Sequence, residues 1–247
     1  MSRFLIIFAF CCARVGAGEE ITLGAEDDWA PYSYLAPGQA QIQGFAPKVV
    51  AAALLTQGIM VKFQAVPFAR CLKETQMGSL AGCFDIEKND ENQSEYHFHT
   101  TPLFAEGLSI FALDSVVQRH LDASDLPGHS VAITNGYTYP PLIMNNPKIK
   151  KDVSPSDEVQ FKKLMAGRVQ FALVNTTPAK LLQQKNVQFK ARIVEVGLVN
   201  TAQFYVGFSK KHPDGARLAQ RFELGLQAIH ANGQYEALQK EFKASLQ

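Results

Sequence analysis

The sequence predicts an α/β protein built from two lobes. Three times the chain passes from a helical pattern through a glycine into a strand pattern, at Gly58, Gly78 and Gly167. Repeats of this kind are typical of crossover units with parallel strands. Two α/β units of similar pattern follow one another with strands rather than a low-complexity linker between them. This organisation indicates two lobes that hinge.

The first 17 residues have the pattern of a secretory signal peptide. Arg3 supplies a basic start, residues 4–12 form an apolar stretch too short to span a bilayer, and residues 15–17 are a small-residue cleavage pattern. A lipoprotein signal is the weaker alternative, because Cys11 and Cys12 lack the small residue that should precede them. We therefore predict residues 1–17 to be a cleaved signal peptide and the mature protein to be soluble and periplasmic.

The charge balance of the mature chain is close to neutral. The full sequence has 24 Lys and Arg against 23 Asp and Glu, and loss of Arg3 and Arg14 with the signal leaves 22 basic residues. Near-neutrality argues against nucleic acid or a membrane surface as the main partner. A mature chain of roughly this length fits one large domain or two lobes of about 100 residues each.

Two cysteines remain in the mature chain, Cys71 on a predicted helix and Cys83 on the next strand. In an oxidising compartment an even number of cysteines usually forms disulfides. Two buried thiols that point in different directions are the alternative. The CxxC spacing of a redox site is absent.

The first half of the chain alternates strands and helices. Pro47 fits a first helical turn and Gly58 a helix end, and the segment from Pro67 to Asn92 should supply two loops at the carboxyl ends of strands, where α/β proteins bind ligands. In order, we predict a strand at 21–23, a loop at 24–32, a helix at 45–57, a strand at 60–65, a helix from Phe68 or Ala69, and a strand at 80–86.

The second half repeats the alternation, with Ser154 or Ser156 available to cap its first long helix. We predict strands at 104–113 and 130–133, a loop at 134–138, a proline-started segment at 140–141, helices at 157–166 and 177–184, strands at 169–175, 189–196 and 203–209, and two final helices separated by Gly233.

Seven segments, in this order and spacing, resemble the bacterial extracellular solute-binding proteins of family 3, which have the type II periplasmic binding fold. They are WAPYSY at Trp29, QGF at Gln43, VPFAR at Val66, PLF at Pro102, DLPGHSVAITNGYTY from Asp125, KLMAGRVQFAL from Lys163 and YVGFSKKHP from Tyr205.

The resemblance covers essentially the whole mature chain and implies two α/β lobes joined by two hinge strands. Lobe 1 would comprise residues 18–111 and 207–247, and lobe 2 residues 112–206, with the hinge near 110–114 and 205–209. Solute would bind between the lobes and close them. The closed monomer would then deliver the solute to the membrane permease of an ABC transporter.

Two departures from the family pattern concern the residues that hold an α-amino acid. Asn92 stands where an Arg would grip the ligand carboxylate, and Asn175 stands where an Asp would hold the ammonium. Because both halves of the clamp are replaced, we expect a small polar solute, in particular a cation, instead of an ordinary α-amino acid.

Three aromatic side chains are expected at the cleft. Trp29 and Tyr32 lie in the first loop, where the family stacks an aromatic ring on the solute, and Phe68 begins the helix whose start faces the ligand. Such rings bury much area and can hold a cation. Packing within lobe 1 is the alternative for each of them.

Charged and polar candidates complete the predicted site. Glu26, Asp85 and Glu87 map near the polar end of the ligand, although a solvated loop edge is the favoured interpretation for Glu87. Arg70 either binds an anionic group or pairs with Glu74 one helical turn away, a pair worth ~0.3 kcal/mol.

In lobe 2, the turn at Gly136, Tyr137 and Thr138 can offer backbone N–H groups and a hydroxyl to the ligand, although the prolines that follow remove donors. Asn175 could hydrogen-bond a neutral group. His97 and His99 share a strand face, but the sequence shows no third ligand and we predict no metal site.

Two other functions remain possible on the same fold. The protein could feed a sensor or chemoreceptor instead of a permease, or it could be a periplasmic dehydratase. The dehydratase needs a carboxylate-gripping Arg, against which Asn92 counts. No Walker loop, GxSxG, HExxH or dinucleotide motif is present, so we predict no enzyme, no catalytic residue and no cofactor.

Overall fold

The computed structural model describes residues 18–247, so the predicted signal peptide lies outside the described part. The strands are β1 Glu19–Glu26, β2 Asp28–Trp29, β3 Ser33–Tyr34, β4 Ile59–Val66, β5 Gly82–Glu87, β6 Tyr96–Phe98, β7 Phe104–Leu113, β8 Ser130–Thr134, β9 Lys150–Ser154, β10 Phe171–Asn175 and β11 Ile193–Ser209. The helices are α1 Phe45–Thr56, α2 Phe68–Met77, α3 Pro141–Met144, α4 Asp157–Met165, α5 Thr176–Lys185, α6 Val187–Arg192, α7 Gly215–Ala231 and α8 Gln234–Ser245. Within residues 18–247, no helix is both long and apolar enough to cross a membrane.

One sheet of nine strands passes through the molecule in the order β4-β1-β5-β11-β7-β10-β8-β9, with β6 beside β11. Strand β1 pairs in parallel with β4 and β5, and β8 pairs in parallel with β9 and β10. The predicted crossover units are therefore confirmed. Gly58, Gly78 and Gly167 follow α1, α2 and α4 with φ values of 72°, 85° and 66°, a region that glycine adopts without steric cost.

The long antiparallel strands β7 and β11 connect two hydrophobic cores. Phe104 and Phe204 pack in the core around α1 and α7, whereas Leu108 and Val196 pack in a core formed with β8 and β10. The two-lobed architecture with two connecting strands therefore has a physical basis in the packing. The lobe limits at 111/112 and 206/207 stay a prediction, and this packing favours limits several residues earlier on each strand.

Two local predictions were wrong. The strand predicted at 189–196 is divided, because α6 occupies Val187–Arg192 and β11 then runs without interruption to Ser209. Asn186 starts α6 by accepting hydrogen bonds from the backbone N–H groups of Gln188 and Phe189. The edge strand β9 was missed because its sequence, KKDVS, has the polar composition of a loop.

Cys71 and Cys83 form a disulfide between α2 and β5, with Cα atoms 5.9 Å apart. Both residues are fully buried beneath β1. A Cβ atom at Gly24 on β1 would collide with the Cys71 sulfur. The bond therefore depends on a glycine at that position of the neighbouring strand.

Reducing this disulfide is expected to lower the free energy of unfolding by about 3 kcal/mol, because the bond closes a short loop and restricts the unfolded chain. Urea unfolding of residues 18–247 with and without reductant measures the difference. The matched control is the Cys71→Ala, Cys83→Ala variant, whose unfolding should not respond to reductant. Two free thiols in denatured, unreduced protein would contradict the expectation.

Candidate functional site

A narrow cavity of about 30 Å³ lies between the two lobes. One water needs roughly 10–15 Å³ of such volume, so the cavity has room for about two. A larger ligand therefore enters only if the lobes separate. The walls come from the ends of β1, β2, β5 and β10, from β7 and β11, from the start of α2 and from the loop after β8. The lining residues are Glu26, Trp29, Phe68, Asp85, Glu87, Leu108, Tyr137, Thr138, Tyr139, Asn175, Ala202 and Phe204.

Asp85 enters the cavity from a β-bulge. Between the Cys83–Gly207 and Ile86–Tyr205 pairs, β5 contains two residues where β11 contains one. Asp85 takes the left-handed conformation, with a φ of 65°, which Asp and Asn tolerate better than other side chains. Bulges of this kind redirect a side chain and are frequent beside functional sites.

The Asp85 carboxyl group is buried and unpartnered. Its residue is 3% exposed, and neither oxygen accepts a hydrogen bond from any group within residues 18–247. Burial raises the pKa of Asp85 well above its usual range. A buried carboxylate without a partner is costly, so this group either holds a proton or awaits a positively charged ligand.

Glu26 links the lobes at one end of the cavity. The Tyr137 hydroxyl, in the loop after β8, donates to Glu26 Oε1 over 2.6 Å, and its ring meets that of Phe68 edge-on at 5.6 Å. A Cβ at the adjacent Gly136 would lie only 2.8 Å from Ala69 Cβ. The loop of lobe 2 thus packs directly against the first turn of α2.

Burial also controls the protonation of this end of the cavity. It raises the pKa of Glu26 well above its usual range; the Tyr137 hydrogen bond opposes the shift, and the carboxyls of Asp85, Asp157 and Asp28 add to it. Burial raises the pKa of Glu87 as well. In this cleft, acidic groups are thus close together and shielded from solvent.

A second connection between the lobes passes through Glu106 on β7. The Tyr32 hydroxyl donates to Glu106 Oε2. The Thr177 backbone N–H and hydroxyl donate to the same carboxylate over 2.9 and 2.8 Å. Because Glu106 thereby occupies the first turn of α5, that helix start is not free for an anionic ligand.

Aromatic rings form most of the apolar wall. Trp29 is buried and lies 5.2 Å from Phe204 between ring centroids, and Phe68 closes the wall from α2. The Trp29 Nε1–H has no acceptor within the described part of the chain. Water or a ligand oxygen is the expected acceptor there.

The structure brings six of the nine predicted ligand-binding residues into this cavity: Glu26, Trp29, Phe68, Asp85, Thr138 and Asn175. Asn175 is held there because its Nδ2 donates to the Gly107 carbonyl at 3.2 Å. Their role in binding remains a prediction.

The other three predicted residues lie elsewhere. Tyr32 stacks on Phe104 at 4.4 Å inside lobe 1. Arg70 has a side chain that is 65% exposed and pairs with Glu74 at 2.6 Å. Asn92 donates from Nδ2 to the Glu87 carbonyl at 2.7 Å and so holds the turn after β5. In this arrangement of the lobes, Tyr32, Arg70 and Asn92 are not among the residues that line the cavity.

Several cavity residues were not chosen from the sequence. Glu87 was interpreted as a solvated edge, yet it lines the cavity. Leu108, Ala202 and Phe204 belong to β7 and β11, where apolar residues have the pattern of core. Among these residues, only Tyr137 has a position in the sequence that indicates ligand contact, because it lies in a loop after a strand end, where ligands commonly bind.

The electrostatic character of the cavity is acidic. Glu26, Asp85 and Glu87 line it, and none of the lining residues within 18–247 is a lysine or arginine. His99 is not available for a metal, because Nδ1 lies 2.7 Å from the Thr101 carbonyl and Nε2 accepts from the Val206 N–H at 2.8 Å. No cluster of three metal-binding side chains occurs in the part of the chain that the structure describes. The arrangement suits an organic cation.

The sheet order, the two connecting strands and the cleft between two cores define a type II periplasmic binding fold, as predicted. Solved structures with this fold superpose on most of the chain. A mutant of ArgBP from T. maritima has a TM-score of 0.78 and 18% identity, over 91% of this chain and 95% of that one. A histidine kinase sensor domain similar to periplasmic binding proteins has a TM-score of 0.79 and 20% identity, over 90% and 95%.

A third structure extends the same comparison. The amino acid ABC transporter substrate-binding protein AbpA from Streptococcus pneumoniae, bound to L-arginine, has a TM-score of 0.76 and 19% identity, over 92% of this chain and 96% of that one. No curated protein sequence matches significantly. A family model matches residues 21–245, and the chain belongs to the bacterial extracellular solute-binding proteins, family 3. The predicted family is thus confirmed, and it is a family of binding proteins.

Proposed function

We propose that this protein captures a small organic cation without a carboxylate group and closes its two lobes around it. The observation that carries the proposal is Asp85, a buried carboxyl group without a partner at the wall of the cleft. An ammonium group would give it the charge-assisted hydrogen bonds that the protein does not supply. The aromatic wall would hold the remaining charge and the alkyl part.

The lack of a lysine or arginine among the described residues that line the cavity argues against an α-amino acid as the ligand. A ligand carboxylate in this cleft would meet Glu26, Asp85 and Glu87 without a lysine or arginine among the lining residues. With Glu26 and Asp85 protonated, the ligand carboxylate would be buried without a cationic partner, and with them ionised it would lie beside buried like charges; either case raises the free energy of the complex. We therefore do not expect this chain to bind L-arginine, which is bound in the related AbpA structure.

We further propose that the protein works in the periplasm as a monomer and delivers its solute to an ABC-type permease. Family membership supports export and solute binding. A sensor partner is the second candidate, favoured by the similarity to a histidine kinase sensor domain. Capture on immobilised protein of a permease subunit, or of a sensor protein, would decide between the two.

Organic cations are expected to raise the melting temperature of residues 18–247 by several degrees, because a ligand at 100 times its Kd adds about 2.7 kcal/mol. A thermal-shift series with alkylamines, diamines and tetramethylammonium tests this. Glycine, glutamate and L-arginine are the matched probes that carry a carboxylate. A shift with the α-amino acids alone would contradict the proposal.

A further inference from the structure

We propose that the cleft recognises a linear di- or polyamine, whose amino groups lie at successive carboxylates along a channel between the lobes. This inference rests on the cation-binding function proposed above and specifies the ligand class. Three features of the cleft support this inference: the space that adjoins each end, the order of the carboxylates, and the narrow apolar wall between them.

A further space adjoins the central cavity at each end. At the Glu26 end, a cavity of about 150 Å³ shares Glu26, Phe68 and Tyr137 with the central one and reaches Asp27 and Asp28. At the other end, a groove of about 480 Å³ shares Glu87 and Ala202 with it. Opening of the lobes at the Glu26–Tyr137 hydrogen bond would join these spaces into an elongated channel.

The carboxylates follow one another along this channel. Asp28 and Glu26 lie at one mouth, Asp85 lies in the central part, and Glu87 lies where the central part meets the outer groove. Only Asp85 is both buried and without a hydrogen-bond partner among these. A single ammonium group at Asp85 would leave Glu87 without a cationic partner. The second amino group of a diamine would pair with Glu87.

The apolar part of the channel suits a polymethylene chain. Trp29, Phe68, Leu108 and Phe204 form the apolar wall of a space of about 30 Å³, which must widen to admit a ligand and has to widen least for an unbranched chain. Lys88 lines the outer groove, where its Nζ lies 5.9 Å from the centroid of the Phe98 ring. Among the described residues that line the central cavity, none is a lysine or arginine.

Isothermal titration calorimetry on residues 18–247 tests the inference with butylamine, 1,4-diaminobutane, 1,5-diaminopentane and spermidine. We expect at least one diamine or triamine to bind at least tenfold more tightly than butylamine. Equal affinity for butylamine and every diamine and triamine would overturn this inference and leave the cation-binding function standing. If none of the amines binds, both proposals fall.

The variant Glu87→Gln separates the two ends of the ligand. It should weaken diamine binding about tenfold and change butylamine binding less than twofold, while Glu91→Gln on the exposed turn changes neither. Asp28→Asn provides a second test at the opposite mouth, and we expect it to lower the affinity for spermidine. Unchanged diamine and spermidine affinities in both variants, each with a normal melting temperature, would overturn the inference.

Discussion

Replacing Asp85 by asparagine is expected to weaken binding of an organic cation by about 30-fold to 4000-fold. Removing one partner of a buried charged pair typically costs 2–5 kcal/mol, and each 1.4 kcal/mol is tenfold in affinity. The amide has nearly the shape of the carboxyl group, and Asn accepts the positive φ of 65° at this bulge. The substitution thus removes the charge and retains the backbone.

The same variant should not lose stability. In the free protein the Asp85 carboxyl is buried without a hydrogen-bond partner within residues 18–247. An asparagine at this position therefore removes no hydrogen bond, and it avoids the cost of ionising a buried group. Calorimetric titration measures affinity, and circular dichroism measures the melting temperature. Glu91→Gln, which removes one negative charge at an exposed position, is the control. Full affinity in Asp85→Asn would show that this carboxyl does not meet the ligand.

Much of the fold was predictable because its signals are local. Helices α1 and α2 end before Gly58 and Gly78, and the left-handed φ of each glycine is a property of the residue itself. Strand β7 was predicted with its observed limits from a mostly apolar run. By contrast, Phe189, Ala191 and Ile193 alternate as in a strand, and the helix over the first two depends on the Asn186 cap.

The site was predictable only to the level of the loop. Trp29 and Tyr32 belong to one loop, and both were expected at the ligand. Only tertiary contacts separate them, because the Tyr32 hydroxyl reaches Glu106, 74 residues later. Similarly, the exposure of the Asp85 carboxyl to the cavity depends on the bulge opposite β11, a pairing between distant strands that the sequence of β5 does not specify.

Binding of the cation is expected to strengthen as pH rises, by up to tenfold per pH unit for each carboxyl group that loses its proton on binding. In the free protein, burial raises the pKa of Asp85 and of Glu26 well above the usual range. A bound ammonium favours the charged carboxylate and lowers the pKa again. Binding therefore releases protons between the bound and free pKa values, and the affinity levels off above the free values.

The stability of the free protein should change with pH in the opposite direction. A carboxyl whose pKa is raised by folding stabilises the folded state at pH below its unfolded pKa, and this contribution is lost as pH rises through the folded pKa. Asp157, whose pKa burial raises to about 7, adds to this loss between about pH 4 and pH 7. It accepts hydrogen bonds from Thr134 and Gln160 and does not line the central cavity, so it influences binding only through its charge effect on Glu26 and should affect unfolding more than affinity.

Calorimetry from pH 5 to pH 8, in two buffers with different ionisation enthalpies, counts the protons released on binding and so separates these effects. Asp85→Asn should release up to one proton fewer at any pH where wild-type Asp85 changes its protonation. Asp157→Asn should change the number less, because Asp157 acts on binding only through Glu26. An affinity that does not change with pH would mean that the cleft carboxyls are already ionised in the free protein, and proton uptake would contradict the expected sign of the pH dependence. The stability of the free protein and its affinity for the cation depend on the same buried groups. A change at Asp85 that weakens the pH dependence of affinity must therefore also weaken the pH dependence of stability.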